Sequence, residues 1–359
     1  MNITFQKISI TELENNQNQF ISKTQSITLK ANPFKDADNI PTQILAKIDG
    51  EIAGSILCFP SKILVNNQEF TSNSGSSLYV NPLYRGHGIG TKLSIQRLNA
   101  SKNKISLAAG LSHMSLPIFK KLGCTIFYPD RYILFINSKI LYSKWLKGIA
   151  LSIISKLTNV ILKIPLLWIT LYTHLKVNRF CITQIKHATE DIEKIFNADT
   201  HTFKELHNIE WFNWHLDYNF SDNSRNHQDL YLVSKNNENI GFFMTKVRFK
   251  EKAGQGKLKN LLIGSIIEWG SINPQILTDK ELCIMAINKL YKKDKVDIID
   301  IMTDDADTIS FLRKSGLKKN GTGNFAIYTG EDSPLNKFPE YKVQTNWRIR
   351  PATSDNGLS

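Results

Sequence analysis

The sequence is poor in cysteine: its 359 residues hold four, Cys58, Cys124, Cys181 and Cys283, far apart and with no CxxC pair. That excludes a disulfide framework and a cysteine zinc site, no metal centre is expected, and a reducing compartment follows. Acid is missing locally. Residues 71–129 contain no Asp or Glu, yet carry Arg85, Lys92, Arg97, Lys102, Lys104, Lys120 and Lys121. A long uninterrupted apolar run is also missing. Lys156 and Lys163 break the most apolar stretch, and a bilayer span needs roughly 20 apolar residues, so spanning is not expected. The opening "MNITFQKISI" has no basic leader followed by an apolar core, so a cytoplasmic protein without a secretory signal is expected.

What is present reads as globular: 42% hydrophobic and 21% charged residues, in a length ample for two domains. The formal net charge of +13 favours anionic partners. Nucleic acid is not among those expected, since no nucleic-acid motif is present.

Residues 1–140 alternate strands and helices. Hairpins are predicted at Asp49-Gly50 and Asn66-Asn67, a helix over 89–101, a strand in "ISLAAGLS", a short helix stopped by Gly123, and a closing strand in "RYILFI". Residues 180–359 resume the pattern, with a hairpin at Asn236–Asn239, a helix in "KELCIMAINKLYKK" and a buried strand in "VDIIDIMT". "PIFKKLGC" (117–124) lines up with "SFLRKSGL" (310–317), each between an apolar strand and a last strand. Two copies of one fold are predicted. The expected class is α/β, a mixed sheet with flanking helices in each of two domains, 1–140 and 180–359. An amphipathic linker, 141–179, joins them.

That linker is basic and apolar. On a helix, Lys144, Lys147, Ser152, Ser155, Lys156, Asn159 and Lys163 gather on one side, and Leu146, Ile149, Ile153, Leu157, Val160 and Ile161 on the other. Pro165 is expected to interrupt it. The apolar side suits packing between domains, or contact of 141–176 with an anionic membrane on its inner face.

The densest signal is "YVNPLYRGHGIGTKL" (79–93), with Gly86, Gly88 and Gly90 between a strand and a helix. A Walker loop is excluded, because Thr91-Lys92 reverses the required order. A dinucleotide fingerprint is excluded by the G-x-G-x-G spacing and by the missing ribose-binding acid. The pattern R-x-x-G-x-G, preceded by V-x-P, resembles the acetyl-CoA signature of the GNAT superfamily of N-acetyltransferases. The resemblance covers residues 1–140 well and the second half loosely, where "GSINPQILTDKEL" replaces the signature.

The resemblance implies acetyl-CoA as co-substrate. Leu78, Tyr79 and Val80 would pair with the pantetheine arm, Arg85 would add fixed positive charge, and the backbone of Gly86, His87, Gly88, Ile89, Gly90 and Thr91 would cradle the pyrophosphate. An amide near Tyr79 or Val80 would polarise the thioester carbonyl. Many relatives place a tyrosine acid four residues before the glycine that ends the next helix; here that residue is Phe119. His113 is the candidate base. The second half is expected to be degenerate, shaping an acceptor pocket or serving as a dimer platform, with Trp211, Trp214 and Tyr218 as candidate acceptor contacts or as core. The expected function is acetyl transfer to a primary amine of a small molecule such as an amino sugar. A membrane-proximal enzyme using a longer acyl-CoA and an acyl-CoA sensor without turnover are the alternatives.

Overall fold

A computed structural model describes residues 2–15, 21–138, 142, 148–218, 223–253 and 258–353. In chain order the strands are β1 Ile3–Ile8, β2 Gln43–Ile48, β3 Glu51–Val65, β4 Gln68–Val80, β5 Ile105–Ala109, β6 Thr125–Phe127, β7 Asp130–Phe135 and β8 Cys181–Ile185. They continue as β9 Phe203–Glu205, β10 His227–Lys235, β11 Glu238–Ala253, β12 Leu258–Ser271, β13 Ile298–Thr303, β14 Lys318–Thr322, β15 Phe325–Thr329 and β16 Trp347–Arg348. The helices are α1 Ile10–Asn15, α2 Lys23–Lys30, α3 Ile89–Leu98, α4 Ser115–Lys121, α5 Gly148–Tyr172, α6 Glu190–Asn197, α7 Ile209–Asp217, α8 Asp279–Lys292 and α9 Ala306–Lys314.

The hairpins form where the turn residues predict them. Asp49-Gly50, Asn66-Asn67 and Asn236-Asn237 all take positive φ at both positions, the conformation that two-residue hairpin loops demand and that Asn, Asp and Gly tolerate. The helical copies match as well. Helices α4 and α9 both end two residues before a left-handed glycine, Gly123 at φ +79° and Gly316 at φ +80°.

The chain forms two compact units. The first comprises 1–128, 201–222 and 323–359; the second comprises 129–200 and 223–322. The first holds a sheet ordered β1-β2-β3-β4-β5-β15-β6, with β9 added beside β3 and β16 beside β9. The second holds β8-β10-β11-β12-β13-β7-β14. Position by position these are the same sheet. Within these matching seven-strand orders each has one parallel pair, β4–β5 or β12–β13, joined through a crossover helix, α3 or α8; the added β9 and β16 form a second parallel pair in the first sheet. The repeat read from the sequence is thus a repeat of sheet topology.

The strand next to the last in each sheet comes from the other half of the chain. "RYILFI", expected to close the first sheet, lies in the second as β7, between β13 and β14. "NFAIYT" lies in the first as β15, between β5 and β6. The compact units therefore cut across the contiguous divisions at 1–140, 141–179 and 180–359. A short apolar strand carries no local mark of which sheet edge it will fill, because its alternation fits either.

Helix α5 departs from expectation twice. It runs through Pro165 to Tyr172 and continues as a π-helical turn over Thr173–Val177. Packing offsets the hydrogen bond that proline removes: the Pro165 ring lies against Gly316, and Leu166, Ile169 and Val177 join the core of the second unit. Its faces also divide differently: Lys156 and Lys163 of the polar side are exposed, but Ser155 of that side is buried and the apolar side is exposed. Ser155 is buried and its carbonyl accepts from Ser138 Oγ (3.0 Å), and Asn159 Oδ1 accepts from the Ser138 amide (2.7 Å). The apolar Ile149, Ile153, Leu157, Val160 and Ile161 face outward. Lys144, Leu146 and Lys147 lie outside the described residues.

Candidate active site

In the first unit, β4 and β5 pair at two positions only, Asn73 with Ser106 and Ser74 with Leu107. A buried clamp holds this vertex, Ser106 Oγ donating to Asn73 Oδ1 at 2.8 Å. β4 then runs on for six residues and parts from β5. A bulge in β4 sharpens the divergence: the register to β3 shifts between Ser55–Tyr79 and Leu57–Ser76, and Ser77 takes φ +53°. On the other side, Asn324 holds the end of β5. Its side chain accepts from the Leu111 amide (2.5 Å) and donates to the Leu111 carbonyl (2.9 Å).

The space between the strands is a cleft of about 540 Å³. Its walls are Gly75–Val80 of β4 and Ala109–Ser112 after β5, with Ile118 and Phe119 of α4, Gly90 and Arg97 of α3, and Arg85. Leu78, Tyr79 and Val80 thus lie together with Arg85 and Gly90 on one opening. Gly86, His87, Gly88, Ile89 and Thr91 form the adjoining turn and the start of α3. Asn81 opens this turn by accepting from the Leu83 amide (3.1 Å), and Arg85 Nε reaches back to the Val80 carbonyl (3.4 Å). Gly86 and Gly88 take φ +87° and +72°. Gly88 caps α3 with no side chain, so no side-chain acceptor serves its first amides. Ile89 is buried beneath with Leu93, anchoring the helix start on β2 and β3. His87 is exposed and does not line the cleft.

The corresponding helix start in the second unit is closed. Thr278 caps α8 by accepting from the Glu281 amide (3.2 Å), and Glu281 Oε2 accepts from the Thr278 amide (3.0 Å). Glu281 is also ion-paired to Arg179 at 3.0 Å. Carboxylates at this helix start repel phosphate, and the glycines that would expose its amides are missing.

Sequence reading counted Arg97 only as charge, and the structure gives it a place. It is 1% exposed and lines the base of the cleft, where its Nη1 donates to the Leu107 carbonyl (3.1 Å) at the vertex. Its guanidinium carbon lies 5.3 Å from the Phe119 ring centre, over the residue that stands in the tyrosine position. The signal was in the spacing: Ile89, Leu93 and Arg97 follow at intervals of four, so this arginine interrupts an apolar helical stripe. Other cations of the acid-free stretch serve elsewhere. Lys104 is ion-paired to Asp332 at 2.8 Å.

Among the described residues, no carboxylate, histidine, lysine or cysteine lines the cleft. His113 is exposed and outside it, between the lining residues Ser112 and Met114. Two buried thiols feel Arg97, yet burial outweighs its charge: the Cys58 thiol is pushed up to about 12 and that of Cys124 to about 11. Neither is a thiolate at neutral pH, which leaves no cysteine here for a covalent acyl intermediate. Trp211 and Trp214 prove to be core. Trp211 stacks on His207 (ring centres 3.6 Å apart) and lies tilted against His215 (3.8 Å), and Trp214 Nε1 donates to the Thr28 carbonyl (2.8 Å). Both are buried because α7 turns this face inward; Tyr218, just past its end, is half-buried. Among the described residues, His227, Asp229 and Asp294 bring their ligand atoms within 4.8 Å of one another in the second unit. Lys293 is ion-paired to Asp229 there, so this group already holds its cation.

A splayed parallel pair, a bulged strand and an uncapped glycine turn come together at this one cleft. Residues 22–127 match the model of the acetyltransferase (GNAT) domain. Those residues of the first unit thus carry a GNAT-type acetyltransferase domain, and the second unit repeats its sheet topology. Solved structures share the fold over nearly the whole chain. The N-myristoyltransferase of Saccharomyces cerevisiae with bound myristoyl-CoA and inhibitors aligns at 16% identity with a TM-score of 0.59, covering 92% of this chain and 83% of that one. A GCN5-related N-acetyltransferase from Anabaena variabilis aligns at 12% identity with a TM-score of 0.54, covering 91% and 73%. No curated protein sequence matches the chain.

Proposed function

We propose that the protein transfers an acetyl group from acetyl-CoA to the primary amine of a small hydroxylated acceptor, such as an amino sugar, in the cleft between β4 and β5. The observation that carries this reading is the base of that cleft. A guanidinium buried beside Phe119 suits a short acyl group, since a long apolar chain placed against it would desolvate the charge without compensation. Serines 76, 77, 112 and 115 line the opening and offer hydroxyls to a polar acceptor.

In the proposed reaction the pyrophosphate rests on the amides of 86–91 and beside Arg85. The acceptor nitrogen attacks the thioester carbonyl, a C–N bond forms, and the C–S bond then breaks. Phe119 has no proton to give, so Arg97 stabilises the departing thiolate by charge. The proton lost by the attacking amine passes through water and ends on the thiol of CoA. With no carboxylate or histidine among the described lining residues, the amine reacts as its free base.

The test is thiol release from acetyl-CoA across a panel of amines, repeated with myristoyl-CoA. Turnover with acetyl-CoA and an amino sugar supports the reading. Turnover confined to the long acyl-CoA would replace it with the second reading, which the bound myristoyl-CoA of the yeast neighbour motivates. Binding of acetyl-CoA with no turnover on any amine would make the protein a sensor.

A further inference from the structure

Helix α5 exposes a long apolar face. Ser155 is buried, and its carbonyl and Asn159 Oδ1 accept from Ser138; Leu166 and Ile169 pack in the core, while most of the other large apolar side chains face away. Leu157, Val160, Ile161, Ile164 and Leu167 are 59–67% exposed, and Trp168 is 53% exposed. At 100° per residue these side chains lie within about 120° of arc, one continuous stripe along a helix about 37 Å long. Apolar stripes of this length are not left to water in soluble proteins.

Charge identifies what covers it. Between Asp130 and Glu190 there is no acidic residue, and those 59 positions carry nine cations. Lys156 and Lys163 are exposed and fall on one border of the stripe, and Lys176 is exposed just beyond its end. A second copy of this chain would bring the same acid-free segment against itself, cation facing cation. An anionic lipid surface takes both features at once: the acyl region receives the apolar stripe, the headgroups receive the lysines, and Trp168 sits at the boundary.

The helix has the length and apolarity to cross a membrane. Its other face argues for lying in the surface instead. Leu166, Ile169 and Val177 are part of the core of the second unit, and Thr173 is hydrogen-bonded to Asn288 of α8. Crossing would strip these contacts from the unit that makes them. We propose that α5 binds in the plane of an anionic membrane surface, holding the protein there as a peripheral enzyme. None of the stripe's residues lines the cleft, so this inference stands or falls independently of the transfer chemistry.

The experiment is co-sedimentation of the full chain with vesicles of phosphatidylcholine alone or with about 30% phosphatidylglycerol. Binding to the anionic vesicles is expected at least about tenfold above the neutral ones and reduced by salt. Trp168 emission should shift to the blue on binding, and Trp168→Phe should lose that shift. The variant Leu157→Ser/Ile161→Ser/Leu167→Ser changes exposed positions only. It should keep the thermal midpoint and acetyl-CoA affinity of the parent and lose vesicle binding about tenfold or more. Four results overturn the proposal: no binding to anionic vesicles, equal binding by the triple variant, resistance of the bound protein to alkaline carbonate, or a dimer that the triple variant dissolves with no vesicle binding by the parent.

Discussion

Gly75 of β4 and Arg97 of α3 occupy one place: a Cβ at residue 75 would collide with Cδ, Nε and Nη1 of the arginine. The missing side chain is what lets a guanidinium reach the vertex of the parted strands. Gly75→Ala should therefore expel Arg97 and cost roughly 1–3 kcal/mol in denaturant unfolding. In an Arg97→Ala background the same alanine should cost markedly less, since the space is vacant. Equal costs in both backgrounds would show that the glycine serves something else. Arg97→Met, which keeps bulk and removes charge, should lower kcat roughly 10²-fold while the Kd for CoA changes little.

Gly90 separates folding from binding. It lies inside α3, and a Cβ there meets Val80, Leu78 and Ile118 only at 3.6–3.9 Å, ordinary contact within the cleft wall. Gly90→Ala should leave the fold intact or firm it by up to about 1 kcal/mol. It should also weaken acetyl-CoA binding at least about tenfold by placing a methyl in the cleft. Calorimetry on the folded variant reads both, and undiminished affinity would remove this turn from the cofactor site.

Arg85→Glu should abolish acetyl-CoA binding with an unchanged unfolding curve. The side chain is exposed, and a surface carboxylate there repels phosphate without touching the core. Retained affinity would contradict the placing of the pyrophosphate.

His113→Gln should keep kcat/KM within about twofold and leave its pH profile in place, because the imidazole lies outside the cleft. The profile itself should rise with pH and level off at the pKa of the acceptor amine, moving when the amine is changed. A profile fixed near neutrality that His113→Gln abolishes would restore the histidine as base.

In the second unit, His227 titrates above its ordinary value of 6.5, raised chiefly by its hydrogen bond to Asp294 and also by the charge of Asp229. A raised folded pKa gives stability that is complete below the unfolded value and fades as pH climbs through the folded one. His227→Gln should therefore destabilise the protein at about pH 5.5 and not at about pH 9. The imidazole is half-exposed, so the loss should stay below about 1 kcal/mol. A pH-independent loss would mean that packing, not charge, holds this cluster.

Much of the fold was legible. The hairpin turns announce themselves because positive φ is open to few residues, and the glycine turn is legible because bare amides beside an arginine serve few purposes. The αL glycines after α4 and α9 marked the repeat for the same reason. Each of these signals is local: the residue types decide backbone conformation within a few positions.

Pairing at long range is another matter. Nothing local in "RYILFI" or "NFAIYT" assigns either strand to the sheet it joins, and Asn324 reaches Leu111 across 213 positions of sequence. The periodicity of α5 correctly separated two faces but could not say which one the protein buries. Tertiary contacts decide that: Leu166 and Ile169 enter the core of the second unit, and Ser138 bonds to the Ser155 carbonyl and to Asn159. Arg97 shows the same division. The sequence by itself determined that a cation follows Ile89 and Leu93 on one stripe. Only the parting of β4 from β5, with Gly75 leaving room, turned that cation into the floor of a cleft.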